Sequence, residues 1–168
     1  MTTQQRLRTA RTRAIAVGGR SINRDEERIA LPIDLVATAI SGLAELTAAA
    51  LIGVDLVDRD LPAVAVHEAK GQARNGACRT LRLCQRALEA DARSTGYDWR
   101  PWVDATIHDS AYQLDQAPDE GGTLRHADGL ARSLSEATRA LAYDRMALPE
   151  ALSIAQTHAL MLVVAAEG

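Results

Sequence analysis

The residues able to do chemistry in this chain are thinly spread: four histidines and two cysteines occur among 168 residues. Asp104, His108 and Asp115 stand at i, i+4 and i+11, so on a helix they fall along one line, with Asp109 on a different side. A carboxylate four residues from a histidine can orient its ring as metal sites require. It is equally an ordinary helix-surface pair, and the spacing alone favours that plainer reading. His158 lies in an apolar stretch and reads as a hydrogen-bonded core histidine, while His126 and Asp128 border a loop. Cys78 and Cys84 lack CxxC spacing, and on a helix they sit roughly 120° apart, too far round to bridge to each other. They read as two reduced core thiols. No GxSxG, P-loop, GxGxxG or HExxH pattern accompanies any of these residues.

Lys70 is the sole lysine among 19 basic residues, a bias that accompanies high-GC coding. It falls inside the apolar stripe Val66, Lys70, Ala73, Ala77, Leu81, Cys84 and Leu88, with His67 and Arg74 at the edges. A buried ammonium is costly unless paired, and an acidic line carrying Asp34 and Glu45 is the natural partner. The alternative, taken here as the expectation, is that the stem lies along the stripe and the charge reaches water.

His108-Asp109, with His67 upstream in an all-helical chain, resembles the HD-domain metal phosphohydrolases. That resemblance implies a divalent metal held by His67, His108 and Asp109, with Asp144 or Asp128 as the fourth ligand. Such a metal activates water against a phosphoester. The dyad is followed here by Ser110-Ala111-Tyr112, where the family carries a glycine-containing turn.

From Met1 to Arg24 there are six arginines and no acid. Arg6, Arg8, Arg11 and Arg13 could hold phosphates or another anionic partner. They point around the helix rather than along one stripe and have no aromatic neighbours for stacking, so a salt-bridged terminal helix is the expectation. Trp99 and Trp102, the only tryptophans, flank Arg100-Pro101. Two large rings at a helix start either lock that corner or anchor an interface. Corner-locking is the expectation.

Helices must position these groups. Ile33 to Val57 is apolar on more of its circumference than any other segment, and Pro32 presets a helix start there. Asp34, Thr38, Ser41 and Glu45 share one line in its first half, and its second half is apolar nearly all round, as in a central core helix. A membrane span is the poorer reading, because Glu45 would sit at mid-depth at a cost of about 3 kcal/mol. Before it, Thr2 to Val17 predicts a basic helix stopped by Gly18-Gly19. After it, Asp60-Leu61-Pro62 starts a helix running to about Arg93, weakened by Gly71 and Gly76 and ended by Ser94-Thr95-Gly96. Arg100-Pro101 opens another to about Gln116, Thr123 caps one through Met146, and Leu148-Pro149-Glu150 begins the last.

The absence of Phe and an aromatic content of 3 % require an aliphatic core, which suits close-packed helices. The expected fold is therefore all-α, a single-domain bundle of about five to six helices over residues 1–168, with 1–24 as a basic arm. The net charge of −3 does not of itself call for a nucleic-acid or membrane partner. No apolar leader with a cleavage site follows Met1, so a cytoplasmic location is expected. Functionally, the favoured expectation is a non-enzymatic module, without cofactor, that binds other protein chains including copies of itself. A divalent-metal phosphohydrolase is the first alternative, and nucleic-acid or anion binding through the first helix is the second.

Overall fold

The computed structural model describes residues 1–21, 63–116 and 148–167, with Glu136, Arg139, Ala140 and Tyr143 placed singly. Among the described residues there are four helices and no strand: α1 (Thr3–Ser21), α2 (Ala63–Thr95), α3 (Arg100–Gln116) and α4 (Leu148–Glu167). The expected central helix at Ile33–Val57, with Asp34 and Glu45, lies outside the described residues. So do His126, Asp128 and Asp144.

The termini of the helices follow from local chemistry. Thr2 and Gln5 form a reciprocal capping box, Gln5 N–H donating to Thr2 Oγ1 at 3.2 Å and Thr2 N–H to Gln5 Oε1 at 2.9 Å. α2 ends where Gly96 takes φ +72°, and its N–H returns to the Ala92 carbonyl at 2.9 Å. Asp98 then accepts from Arg100 N–H at 3.0 Å, turning the chain into α3, where Pro101 occupies the first turn. Pro149 and Glu150 do the same work at the start of α4, with the acid at the positive end of the dipole.

α2 is the element that α1 and α4 both pack against, and α3 lies against α4 and α1. Leu7 and Ala14 of α1 meet Ala77, Cys78 and Leu81 of α2, Ile107 and Ala111 of α3, and Ala155, Ala159, Leu160, Leu162 and Val163 of α4. Each buried Leu or Val contributes about 1.5–3 kcal/mol relative to exposure, so this aliphatic cluster holds the described helices together without any Phe. A second cluster joins Leu83, Cys84 and Ala87 to Ala140, Ala151 and Leu152, with Trp99 against it. Because α2 is packed on two sides, its buried face is wider than the single stripe read from the sequence, taking in Cys78, Thr80, Leu83 and Ala87 as well.

One expectation is corrected. Gly18-Gly19 does not stop the first helix, which continues through Ser21. Gly18 is instead a point of close approach. A Cβ there would collide with the Cys78 carbonyl oxygen and come within 2.9 Å of Arg82 Cβ. The glycine lets the α1 and α2 backbones touch, and that packing outweighs its weak helix propensity.

Small hydroxyls join α3 to α4. Thr106 and Ser110 are fully buried, and Ser110 donates to the Thr106 carbonyl at 2.8 Å. Thr106 Oγ1 lies 3.0 Å from the Trp102 carbonyl and 3.0 Å from Ser153 Oγ, linking the two helices. Thr157 donates to the Ser153 carbonyl at 3.1 Å. Bonding to the carbonyl one turn back satisfies these hydroxyls where no water reaches.

Candidate functional site

A cleft of about 510 Å³ opens where α1, the C-terminal half of α2 and the start of α3 meet. Its floor is Arg11. On α1 this residue is four after Leu7 and three before Ala14, both buried, so it falls within the packed seam. Arg11 Nη2 donates to Gln85 Oε1 at 3.0 Å and to Gln156 Oε1 at 3.1 Å. Gln156 is itself buried, and its Nε2 donates to the Leu152 carbonyl at 3.4 Å, which fixes the amide with its oxygen toward Arg11. Gln85 passes the interaction on, its Nε2 donating to Glu89 Oε1 at 2.9 Å. The guanidinium is thus held by two neutral amides, with a carboxylate one step further away. Burial lowers the Arg11 pKa, and the nearby Cys84 sulfur works against that shift. Burial also pushes the Cys84 thiol up to about 12, with Arg11 opposing.

The walls of the cleft carry their charges in pairs. Arg8 Nη1 meets Asp104 Oδ1 at 2.8 Å across the α1–α3 contact. Arg100 grips Asp98 through Nε at 2.9 Å and Nη2 at 3.0 Å, a two-pronged contact that lowers the Asp98 pKa and raises that of Arg100. Trp99 and Tyr97 stand edge to face at 5.2 Å. Trp99 Nε1 donates to Asp91 Oδ2 at 2.7 Å, and Trp102 Nε1 to the Tyr97 hydroxyl at 2.8 Å. Both tryptophans are therefore tied into the α2–α3 corner.

The other residues singled out in the sequence are dispersed. His67 is exposed on α2. His108 and Asp109 are exposed on α3, His108 Nδ1 lying 3.4 Å from Asp109 Oδ1. Among the described residues no three His, Cys, Asp or Glu side chains come together as a ligand set. Asp104 and Asp115 do share a line, but it serves α1: Asp104 pairs with Arg8, and Asp115 Oδ1 accepts from Thr3 Oγ1 at 3.2 Å. Lys70 belongs to α2. Arg6 and Arg13 are exposed, so the four arginines singled out on α1 divide into two facing water, one ion-paired and one turned inward. Cys78 and Cys84 are buried and in no disulfide among the described residues. No helix of the described residues is long and apolar enough to cross a membrane.

Sequence reading missed Arg11 as a distinct group, and it missed Gln85 and Gln156 altogether. The signal for Arg11 is its place between Leu7 and Ala14 on one helical face. A glutamine in an apolar helix, as at position 156, marks a buried amide that needs a partner.

A second cleft, of about 350 Å³, is lined by Ala140, Tyr143, Ala151 and Ile154 and rimmed by Glu136, Arg139 and Glu150. Tyr143 is 88 % exposed and Ile154 39 %. No protein family, curated protein or solved structure matches the chain.

Proposed function

We propose that this chain is a helical-bundle interaction module that works by binding protein, its first partner being a second copy of itself. The observation that carries this reading is the pairing of exposed Tyr143 with exposed Ile154 over an apolar cleft whose rim holds both signs of charge. An exposed aromatic and a β-branched residue side by side, ringed by polar groups, have the make-up of an interface core with its rim. Glu136 and Glu150 stand with Arg139 around the same cleft, so its rim offers both signs of charge to a second copy. Aromatic anchors surrounded by such charges are where binding energy concentrates.

Native mass spectrometry and light scattering test this directly. The intact chain is expected to form a dimer at micromolar concentration, and Ile154→Glu or Tyr143→Ser is expected to yield folded monomer. A wild-type chain that stays monomeric at high concentration overturns the proposal, as does a dimer that both substitutions leave intact.

A further inference from the structure

The Arg11 cleft has features that self-association through Tyr143 and Ile154 does not use. It is open to solvent, its volume of about 510 Å³ is that of a small-molecule site, and a half-buried cation lies in its floor. We propose that this cleft binds a small organic acid, the carboxylate on Arg11 and an apolar or aromatic body against Trp99, Leu88 and Val103.

Three observations lead there. First, Arg11 is the cleft cation whose hydrogen-bond partners are all neutral: Arg8 has Asp104 and Arg100 has Asp98, but Arg11 has only the amide oxygens of Gln85 and Gln156. A guanidinium has five N–H groups, and because both on Nη2 are donated to these amides, a carboxylate meets one of the remaining ones in a single charge-assisted contact. Second, both existing hydrogen bonds use Nη2, whereas Nε is buried with no hydrogen-bond partner among the described residues. A buried donor left unmet is costly, and an arriving carboxylate oxygen relieves it. Third, the group is held in place before any ligand arrives. Gln156 is locked by the Leu152 carbonyl and Gln85 by Glu89, so little side-chain entropy remains to be lost on binding.

The three acids that also line the cleft do not block this. Asp98 and Asp104 are neutralised by their arginines, and Glu89 accepts from Gln85. They do set selectivity, since a dianion meets more repulsion than a monocarboxylate. The aromatic corner favours a flat or apolar body, for Trp99 stands there beside Tyr97 with its indole N–H already engaged by Asp91.

The probe is phenylacetate, titrated into the full chain by calorimetry and by tryptophan fluorescence, with phenylacetamide and benzylamine alongside. Phenylacetate is expected to bind saturably and to quench the emission. The isosteric amide should bind roughly tenfold or more weakly, the loss of one charge-assisted contact, and the amine not at all. Gln85→Glu places a carboxylate beside Arg11 and is expected to abolish phenylacetate binding while leaving the fold intact. Arg11→Gln should do the same, and Arg13→Gln should bind as wild type. Absence of saturable binding overturns the proposal, and so do equal affinities for acid and amide. It also falls if folded Gln85→Glu binds phenylacetate as tightly as the wild-type chain. The comparison of acid with amide on the unaltered protein decides the matter even if Arg11→Gln fails to fold.

Discussion

Arg11 and Gln156 meet at 3.1 Å in a place neither residue type usually occupies: a cation and an amide, one half-buried and the other 1 % exposed, hydrogen-bonded across the packing of α1 on α4. The amide is the acceptor that makes the cation tolerable, and the cation is the donor that satisfies the amide. Desolvation lowers the Arg11 pKa without a carboxylate in contact to reverse it, so the pair rests on geometry more than on charge.

Removing one member of that pair is therefore expected to cost more than removing both. Gln156→Leu leaves Arg11 with one acceptor fewer and should destabilise the chain by about 1–3 kcal/mol in urea unfolding. Arg11→Met should cost a similar amount. The double substitution should fall short of the sum, with a coupling of about 0.5–3 kcal/mol. Additive costs would show that the two side chains do not meet.

The same substitution at two glycines is expected to act in opposite directions. Gly18→Ala drives a methyl group into the Cys78 carbonyl and Arg82 Cβ, where backbone cannot yield, and should lower stability by more than about 1 kcal/mol. Gly71→Ala adds its methyl to open space within α2 and should raise stability by about 0.5–1 kcal/mol. Thermal melts of the two variants give the signs directly.

These contrasts mark where sequence reading ran out. The end of α2 and the starts of α3 and α4 were legible because each carries its own signal: Gly96 after α2, Arg100-Pro101 opening α3, Pro149 with Glu150 opening α4. Gly18 was misread because a glycine at a helix end and a glycine at a helix crossing look alike until the neighbouring helix is known. Thr106, Ser110, Ser153 and Gln156 are buried although their types usually face water, since the carbonyl one turn back satisfies the Thr106 and Ser110 hydroxyls, α3 satisfies that of Ser153, and a cation satisfies the amide. Arg11 was grouped with Arg6, Arg8 and Arg13 by composition, whereas position on the helix separates it from them. The carboxylates of Asp104 and Asp115 were correctly placed on one line, but their partners lie on α1, about a hundred residues earlier in the chain, beyond the reach of local spacing.

Cys84 gives the chain a pH dependence at the alkaline end. Its thiol is pushed from 9.0 to about 12 by burial, so between those values the folded protein holds a proton that the unfolded chain has released. Stability from this group is complete below about pH 9 and is lost as pH rises toward 12. Melting temperature is expected to fall between pH 8.5 and 10.5, and Cys84→Ala should flatten part of that fall. For the same reason the native thiol should resist iodoacetamide at pH 8 and react once urea unfolds the chain.

The α2–α3 corner offers a test that separates a locking tryptophan from an exposed one. Trp99 packs against the Leu83–Cys84–Ala87 cluster, and its indole N–H reaches Asp91 Oδ2 at 2.7 Å, one carboxylate holding a ring from across the Gly96 turn. Asp91 also accepts from the Thr95 hydroxyl at 3.3 Å, so it gathers the last turn of α2 and the first residue before α3 onto one group. Asp91→Ala is expected to destabilise the chain by about 1–2 kcal/mol, because a hydrogen bond to a charged acceptor is lost where Trp99 is half-buried. It should also red-shift the tryptophan emission and weaken the near-ultraviolet circular dichroism, since the freed ring can turn toward water. Asp98→Ala, which removes the exposed pair with Arg100 and the acceptor for its backbone N–H but no bond to either indole, should change the emission little. If the two variants behave alike, the corner is held by packing alone and the Asp91–Trp99 bond adds nothing to it.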